Sequence, residues 1–293
     1  MVRLVHTCLF ICFAAGVFAQ DFSFGFKAGL NFNTFKGDAE QDDSGNTLEE
    51  FTTNTGFQVG ATFTWKPTEL MGLRGEFMFA QKGGRRSFNG PSYYFFYDLN
   101  GTQIPATGNR RMDINVTNSY FELPVMGYVK PVKWLEIYAG GYAGALISSS
   151  AFGELTFKDG VTLAGDKVSD EISHELDFNY FGDKPRSVSY ANPPATIKIK
   201  GENIPYPQIA GAYFEFTEDP DNLYKIFDAG VLGGISIFFN KGLYLSGRLS
   251  YGLLDVTRSK ADVSLVKLDG GSLISRNDDD RNFSIQAVVG FSF

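Results

Sequence analysis

The chain has 293 residues, with 33 acidic and 26 basic side chains and a net charge of −7. This acidic balance makes nucleic acid a poor candidate partner, because proteins bind the phosphate backbone through clusters of Lys and Arg. Aromatic residues make up 15% of the chain, and 29 of them are Phe. No segment after residue 20 approaches the run of about 18 apolar residues that a helical membrane span needs, so the composition favours β-structure.

The first twenty residues, MVRLVHTCLFICFAAGVFAQ, show the pattern of a secretory signal peptide. Arg3 supplies the positive start, Leu9 to Val17 is an uncharged apolar run, and Gln20 is the expected new N-terminus. The run is too short for a membrane-spanning helix, which needs about 20 residues. We predict a signal peptide over 1–19 and an exported barrel domain over 20–293. A buried N-terminal helix or strand is the alternative.

Eight later segments alternate between apolar and polar residues with a period of two, as half-buried strands do. Each could cross a hydrocarbon layer, which takes about 9–11 tilted residues, whereas soluble strands peak at about 5–6. In chain order, the predicted strands are Phe22–Phe35, Gly56–Lys66, Met71–Lys82, Ser119–Lys130, Lys133–Ser148, Ile226–Phe239, Gly242–Leu254 and Asn282–Phe293.

Short and long connections alternate between these strands. The short ones are Pro67–Leu70, Pro131–Val132 and Asn240–Lys241. The long ones are Lys36–Thr55, Gly83–Asn118, Ser149–Lys225 and Asp255–Arg281. In an up-and-down barrel this pattern places every tight turn, and both termini, on one rim. Tight periplasmic turns and long extracellular loops are typical of outer-membrane barrels.

Aromatic residues lie near the predicted tight turns, where amphipathic rings favour a membrane–water boundary. Trp65, Trp134 and Tyr244 flank these turns, and Phe291 and Phe293 end the last strand. We predict that they form an aromatic girdle on this rim.

The sequence therefore predicts an all-β fold, an eight-stranded antiparallel up-and-down transmembrane β-barrel, located in the outer membrane. Closure follows from the lipid environment, because an open sheet edge leaves backbone groups unsatisfied there. Two more candidate strands, Ala151–Lys158 and Val161–Lys167, flank the turn signal Asp159-Gly160. We interpret them as an extracellular hairpin, with a ten-stranded barrel as the alternative.

Three short segments resemble the PorT-like outer-membrane β-barrel family common in Bacteroidetes-type bacteria. They are the opening DFSFGFKAGLNFNTF, the segment YFELPVMGYVKP with Glu122-Leu123-Pro124, and the closing NFSIQAVVGFSF. The resemblance implies an eight-stranded barrel that the outer-membrane assembly machinery inserts into the lipid bilayer by reading the C-terminal aromatic strand. The family's founding member takes part in protein secretion, but the three segments do not predict that role for this protein.

Charges of both signs fall on the inward faces of the predicted strands. They are Lys27, Arg74, Glu76, Glu122, Glu136 and Arg248. Eight strands leave an interior just wide enough for side chains, and isolated buried charges are costly. We predict an ion-paired plug, with a proton or ion path as the alternative.

The long loops contain two carboxylate runs that could suggest calcium. One is Asp278–Asp280, followed by Arg281, and the other is Asp38, Asp42 and Asp43. Neither has the Gly and terminal Glu spacing of a calcium loop. We interpret both as solvated, and we predict no metal site and no cofactor.

Catalytic side chains are scarce after the leader. Both cysteines lie within it, and the one remaining histidine is His174, near Asp170, Glu171 and Asp177. Neighbouring acids are expected in so acidic a chain. We interpret His174 as a solvated loop residue and predict that the protein is not an enzyme. A rim-located enzyme is the less favoured reading.

Aromatic and proline residues are concentrated in two of the long loops, at Tyr93–Tyr97 and at Tyr190, Pro193, Pro194, Tyr206 and Pro207. They could bind an extracellular protein or glycan, since exposed aromatic patches mark binding sites. They could equally pack on the rim or continue the strands above the membrane. The favoured function is therefore binding or envelope assembly through the loops, and the alternative is a small porin-like channel.

Overall fold

The computed structural model describes residues 22–293. The predicted signal peptide, 1–19, lies outside the described residues. In this part of the chain no helix is long and apolar enough to cross a membrane. Its strands are β1 (Phe22–Lys36), β2 (Glu49–Thr52), β3 (Asn54–Trp65), β4 (Met71–Tyr97), β5 (Gln103–Val132), β6 (Leu135–Thr162), β7 (Ile172–Asn179), β8 (Val188–Ser189), β9 (Thr196–Ile199), β10 (Glu202–Pro205), β11 (Ile209–Ala210), β12 (Phe227–Phe238), β13 (Leu243–Gly252), β14 (Val263–Asp269), β15 (Ser272–Ser275) and β16 (Arg281–Ser292).

Eight of these strands form a closed antiparallel ring. Hydrogen bonding runs from β1 through β3, β4, β5, β6, β12, β13 and β16, and returns to β1. At the closing seam Phe26 pairs with Phe291, and on its other side Phe26 pairs with Ala61. Every predicted strand lies in one ring strand to within two residues at its ends, because the period of two that the sequence shows is the period of the pleated backbone.

Three ring strands are much longer than predicted. β4, β5 and β6 contain 27, 30 and 28 residues, so most of the predicted loop Gly83–Asn118 is strand rather than loop. The alternation continues there with its polarity inverted. In the ring, outward Val125 is apolar and inward Glu122 is charged; farther up β5, inward Ile114 is apolar and outward Asn115 is polar.

The part of the structure above the ring is called the β-extension here. It contains β4 beyond Lys82, β5 before Asn118 and β6 beyond Ser148, together with β2, β7–β11 and β14–β15. β2 pairs with β4, and β7 pairs with β6 and, in parallel, with β11. The larger hydrophobic core of the described chain lies here, among residues such as Phe88, Ile114 and Leu155. Above the ring, therefore, apolar side chains pack inward in the β-extension, as they do in water-soluble β-proteins.

The two extra candidate strands do not enter the ring. Ala151–Lys158 continues β6 and pairs with β5 and β7, so the predicted hairpin with Val161–Lys167 is wrong. The chain turns later, where Gly165 donates to the carbonyl of Thr162, and Asp159-Gly160 lies within β6 near a register shift.

Tyr244 is not part of an outward girdle. It lies between Leu243 and Leu245 on β13, so its phase directs it inward, and it is 4% exposed. Its ring packs on Gly290 so closely that a Cβ there would lie 2.1 Å from a ring carbon. Trp65, Trp134 and Phe293, in contrast, are exposed as predicted.

Candidate functional site

The polar interior of the ring centres on Glu76 of β4. Arg248 of β13 donates two hydrogen bonds of 2.9 Å to its carboxylate, and Lys27 of β1 donates another. The three side chains are at most 5% exposed. The Glu76 carboxylate therefore links three ring strands, β1, β4 and β13.

A second ion pair lies nearer the tight turns. Arg74 donates two hydrogen bonds, of 2.7 and 2.9 Å, to the carboxylate of Glu136, and its Nε donates to Thr64 at 3.2 Å. Lys130 lies 3.7 Å from the same carboxylate. Glu136 is fully buried, so this pair fills the lower interior.

A third group lies towards the β-extension. Lys82 forms ion pairs with Glu122 and Asp228, and the oxygen of Asp228 also accepts hydrogen bonds from Tyr142 at 3.1 Å and Asn282 at 3.0 Å. Sequence reasoning did not single out Lys82 or Asp228 as inward charges. Both occupy the inward phase of their strands, which is the signal that would have identified them.

The predicted ion pairing of the interior is confirmed. All six predicted inward charges are buried and paired. With Lys82 and Asp228, the set contains four cations and four anions, which are Lys27, Arg74, Lys82 and Arg248 against Glu76, Glu122, Glu136 and Asp228. The ring interior is thus electrically balanced by direct contact between side chains.

The aromatic run Tyr93–Tyr97 ends strand β4, so it continues a strand rather than forming a loop. Tyr93 is buried, and its hydroxyl donates to the backbone oxygen of Ser264 at 2.7 Å. Tyr94 packs on Phe157 with ring centroids 5.5 Å apart. Much of the run therefore stabilises the β-extension.

Four residues of the same run, Tyr94–Tyr97, line a surface cleft, which we call the aromatic cleft. It encloses about 60 Å³. Its lining residues are Tyr94, Phe95, Phe96, Tyr97, Arg186, Val188, Tyr190, Pro205, Tyr206, Pro207 and Phe214. The structure therefore brings together the two aromatic groups that the sequence keeps about a hundred positions apart. Pro193 and Pro194 are exposed and lie outside the cleft.

Polar groups are few in the aromatic cleft, and the hydroxyl of Tyr97 is buried without a hydrogen-bond partner within residues 22–293. Tyr190 is 45% exposed, and the guanidinium carbon of Arg186 lies 3.9 Å from the centroid of the Tyr97 ring. Burial raises the pKa of Tyr97, so its hydroxyl stays neutral and can donate a hydrogen bond. The cleft thus offers ring faces, hydroxyl groups and one cation.

His174 is not the solvated residue that the sequence suggested. It lies on β7 and is 3% exposed, with its ring 5.7 Å from those of Tyr94 and Phe214. Burial, and then the nearby Arg110, lower the pKa of His174 to about 4. Neither ring nitrogen has a hydrogen-bond partner among the described residues. The structure does not pair it with Asp177, which faces the other side of the strand.

The run Asp278–Asp280 is also not fully solvated. Asp279 is exposed beside Arg281, but Asp278 and Asp280 turn inward and meet Asp262. Burial, together with the adjacent Asp278 carboxyl group, raises the pKa of Asp262, and burial raises the pKa of Asp280 to about 6.

The other acidic run behaves as predicted. Asp38 and Asp43 are exposed, and Asp42 is half-exposed, with a carboxylate that accepts hydrogen bonds from the backbone of Ser44 and Asn46 within its own turn. The Asn46 side chain donates a further hydrogen bond to it and lowers its pKa.

A family model described as outer membrane protein beta-barrel domain matches residues 18–258. The chain belongs to this outer-membrane β-barrel family. Comparison with curated proteins gave no match. Among solved structures, the barrel is similar to Ail, the attachment invasion locus protein of Yersinia pestis (11% identity, 93% of this chain and 99% of that chain, TM-score 0.36). It is also similar to Neisserial surface protein A (11%, 92% and 97%, 0.31) and to OprG from Pseudomonas aeruginosa (9%, 92% and 95%, 0.30).

The family match confirms the predicted location in the outer membrane. The ring accordingly carries an outward belt of apolar side chains. Phe26 and Val125 are 64% and 60% exposed, an arrangement that water would penalise and lipid favours. Trp65, Trp134 and Phe293 mark one border of the belt. The β-extension begins at the other border, where the outward faces become polar.

Proposed function

We propose that this protein is a non-catalytic outer-membrane surface protein that binds an extracellular glycan through the aromatic cleft. In this proposal all eight ring strands cross the membrane, and the tight turns face the periplasm. The β-extension then stands outside the cell, in line with the loop asymmetry of outer-membrane barrels. The specific PorT-like relationship and insertion by the assembly machinery remain predictions.

The observation that carries the proposal is the composition of the aromatic cleft. Sugar rings present apolar C–H faces and many hydroxyl groups, and tyrosine combines a flat apolar face with a polar tip. Tyr190 and Tyr206 supply such faces, and Arg186 supplies donors for sugar oxygens or for an acidic sugar. Among residues 22–293 no Asp or Glu lines the cleft, and Arg186 is its one charged lining residue.

The ring interior argues against the alternative of a channel. Its eight buried charges form direct pairs that an ion would have to separate, and a barrel of this strand number is filled by its own side chains. The β-extension, in contrast, has accessible aromatic surface. We therefore place the function in the β-extension and not in the lumen.

A glycan array with protein refolded in detergent micelles tests this proposal. We expect binding to a defined set of glycans. The double variant Tyr190→Ala and Tyr206→Ala should weaken it about tenfold or more, since each aromatic contact contributes about 0.5–1.5 kcal/mol.

The matched control is Phe152→Ala, which removes an exposed aromatic ring from the outer face of β6, away from the cleft. It should bind like the wild type. Absence of binding to any glycan, or equal loss in the control, would refute the assignment of the cleft.

A further inference from the structure

Three carboxyl groups converge where the β14–β15 hairpin joins the rest of the β-extension. Asp262 directly precedes β14, and Asp278 and Asp280 lie between β15 and β16. One oxygen from each lies within 4.8 Å of the others. The chain thus brings acidic groups from both ends of one hairpin to a single point.

These carboxyl groups are buried and incompletely satisfied. Asp262 and Asp280 are 5% and 9% exposed, and the side chain of Asp278 is 10% exposed. Oδ1 of Asp278 and Oδ1 of Asp280 have no hydrogen-bond partner within residues 22–293. Buried polar atoms in native proteins are normally paired, so these two oxygens are free to accept a hydrogen bond or to coordinate a cation.

The charges around the cluster point the same way. Arg86 and Arg276 both bind Glu49, and Arg276 also binds Asp278. When all four carboxyl groups are ionised, Glu49, Asp262, Asp278 and Asp280 face two guanidinium groups. This leaves two negative charges, which is the charge that one divalent cation would neutralise.

We propose that Asp262, Asp278 and Asp280 bind one calcium ion. Calcium takes six to eight oxygen ligands at about 2.3–2.6 Å, so ligands on opposite sides of the ion lie up to about 5 Å apart. The three oxygens lie within 4.8 Å of one another, which is compatible with this range. Magnesium requires strict octahedral geometry at about 2.0–2.1 Å and loses its water reluctantly, so a site built from three carboxyl groups on different turns favours the more flexible coordination of calcium.

Further oxygen ligands are available beside the cluster. The hydroxyl of Thr257 lies 3.2 Å from Oδ2 of Asp280. Asp262 and Asp280 also line a cavity of about 90 Å³ in the β-extension, which has room for coordinating water. The protein thus supplies three carboxyl ligands, and the cavity beside them has room for water ligands.

The ion would act as a clamp on the hairpin. Val263 and Leu265 of β14 line the same cavity, so the hairpin forms part of its wall. Binding Asp262 at its start and Asp278 and Asp280 after its end would hold this wall in place. Removal of calcium should expose the hairpin without unfolding the ring.

Calorimetric titration with CaCl₂ of protein refolded in detergent, and therefore free of lipopolysaccharide, tests the proposal. We expect one site. The variants Asp262→Asn and Asp280→Asn should each bind at least tenfold more weakly. The matched control is Asp279→Asn, which removes the same charge from the same run at an exposed position, 65% exposed and paired with Arg281. It should leave calcium binding unchanged.

A second measurement uses only the wild type, in case a variant fails to fold. Trypsin should cleave at Lys260 or Lys267 at least tenfold more slowly in calcium than in EDTA, while magnesium at the same concentration protects less. No heat and no protection at millimolar calcium would overturn the proposal. So would loss of binding in Asp279→Asn equal to that in Asp280→Asn, since that would indicate only a general charge effect.

Discussion

Replacing Glu76 with leucine is expected to destabilise the barrel by about 3–5 kcal/mol, the cost of leaving a buried ionic group without its partner. Arg248 and Lys27 both depend on this carboxylate, and both are nearly inaccessible to water. The measurement is a urea titration in lipid vesicles, followed by the mobility difference between folded and unfolded barrel on gels.

The control is Glu69→Leu, which changes the same residue type in an exposed tight turn and should shift stability by less than about 0.5 kcal/mol. Replacing the whole group, with Lys27→Met and Arg248→Met added to Glu76→Leu, should recover much of the loss because no charge is then unpaired. A loss below about 1 kcal/mol for Glu76→Leu alone would show that water reaches the centre of the ring.

Placing a charge on the lipid-facing surface should have the second large effect. Val125 lies midway along the ring part of β5 and is 60% exposed. Val125→Arg is expected to cost about 2–4 kcal/mol, as measured for arginine facing lipid near the bilayer midplane of a barrel. The same urea titration measures it.

Phe152→Arg provides a control of equal exposure, 61%, on the β-extension, which we propose to lie outside the membrane. It should change stability by less than about 0.5 kcal/mol. If both variants were equally costly, the boundary between ring and β-extension would not be the border of the membrane.

The sequence predicted the ring well because the alternation of apolar and polar residues directly reports the two faces of a strand. It predicted, for example, that Glu76 and Arg248 both face inward, although their direct contact is visible only in the structure. The sequence left the β-extension as one of several interpretations of the long loops, because its alternation runs in the opposite sense. Polar Asn115 faces out there and Ile114 faces in, so a search for lipid-facing strands stops at the membrane border.

The candidate sites depended on contacts that local sequence does not encode. Tyr94 and Tyr206 were both conspicuous, but their meeting in one cleft depends on how β6, β7 and β11 stack above the ring. The sequence does not group Asp262 with the acidic run, because it lies sixteen positions before Asp278 in the chain. The burial of both follows from the folding back of the β14–β15 hairpin.

The central claim is that the barrel is a closed anchor and that the β-extension carries the function. The most direct test is the conductance of the purified protein in a planar lipid bilayer. The paired interior predicts no steady conductance steps above those of the bare bilayer. A steady current that Arg74→Met alters would contradict the claim, because ions would then be passing through the ring interior.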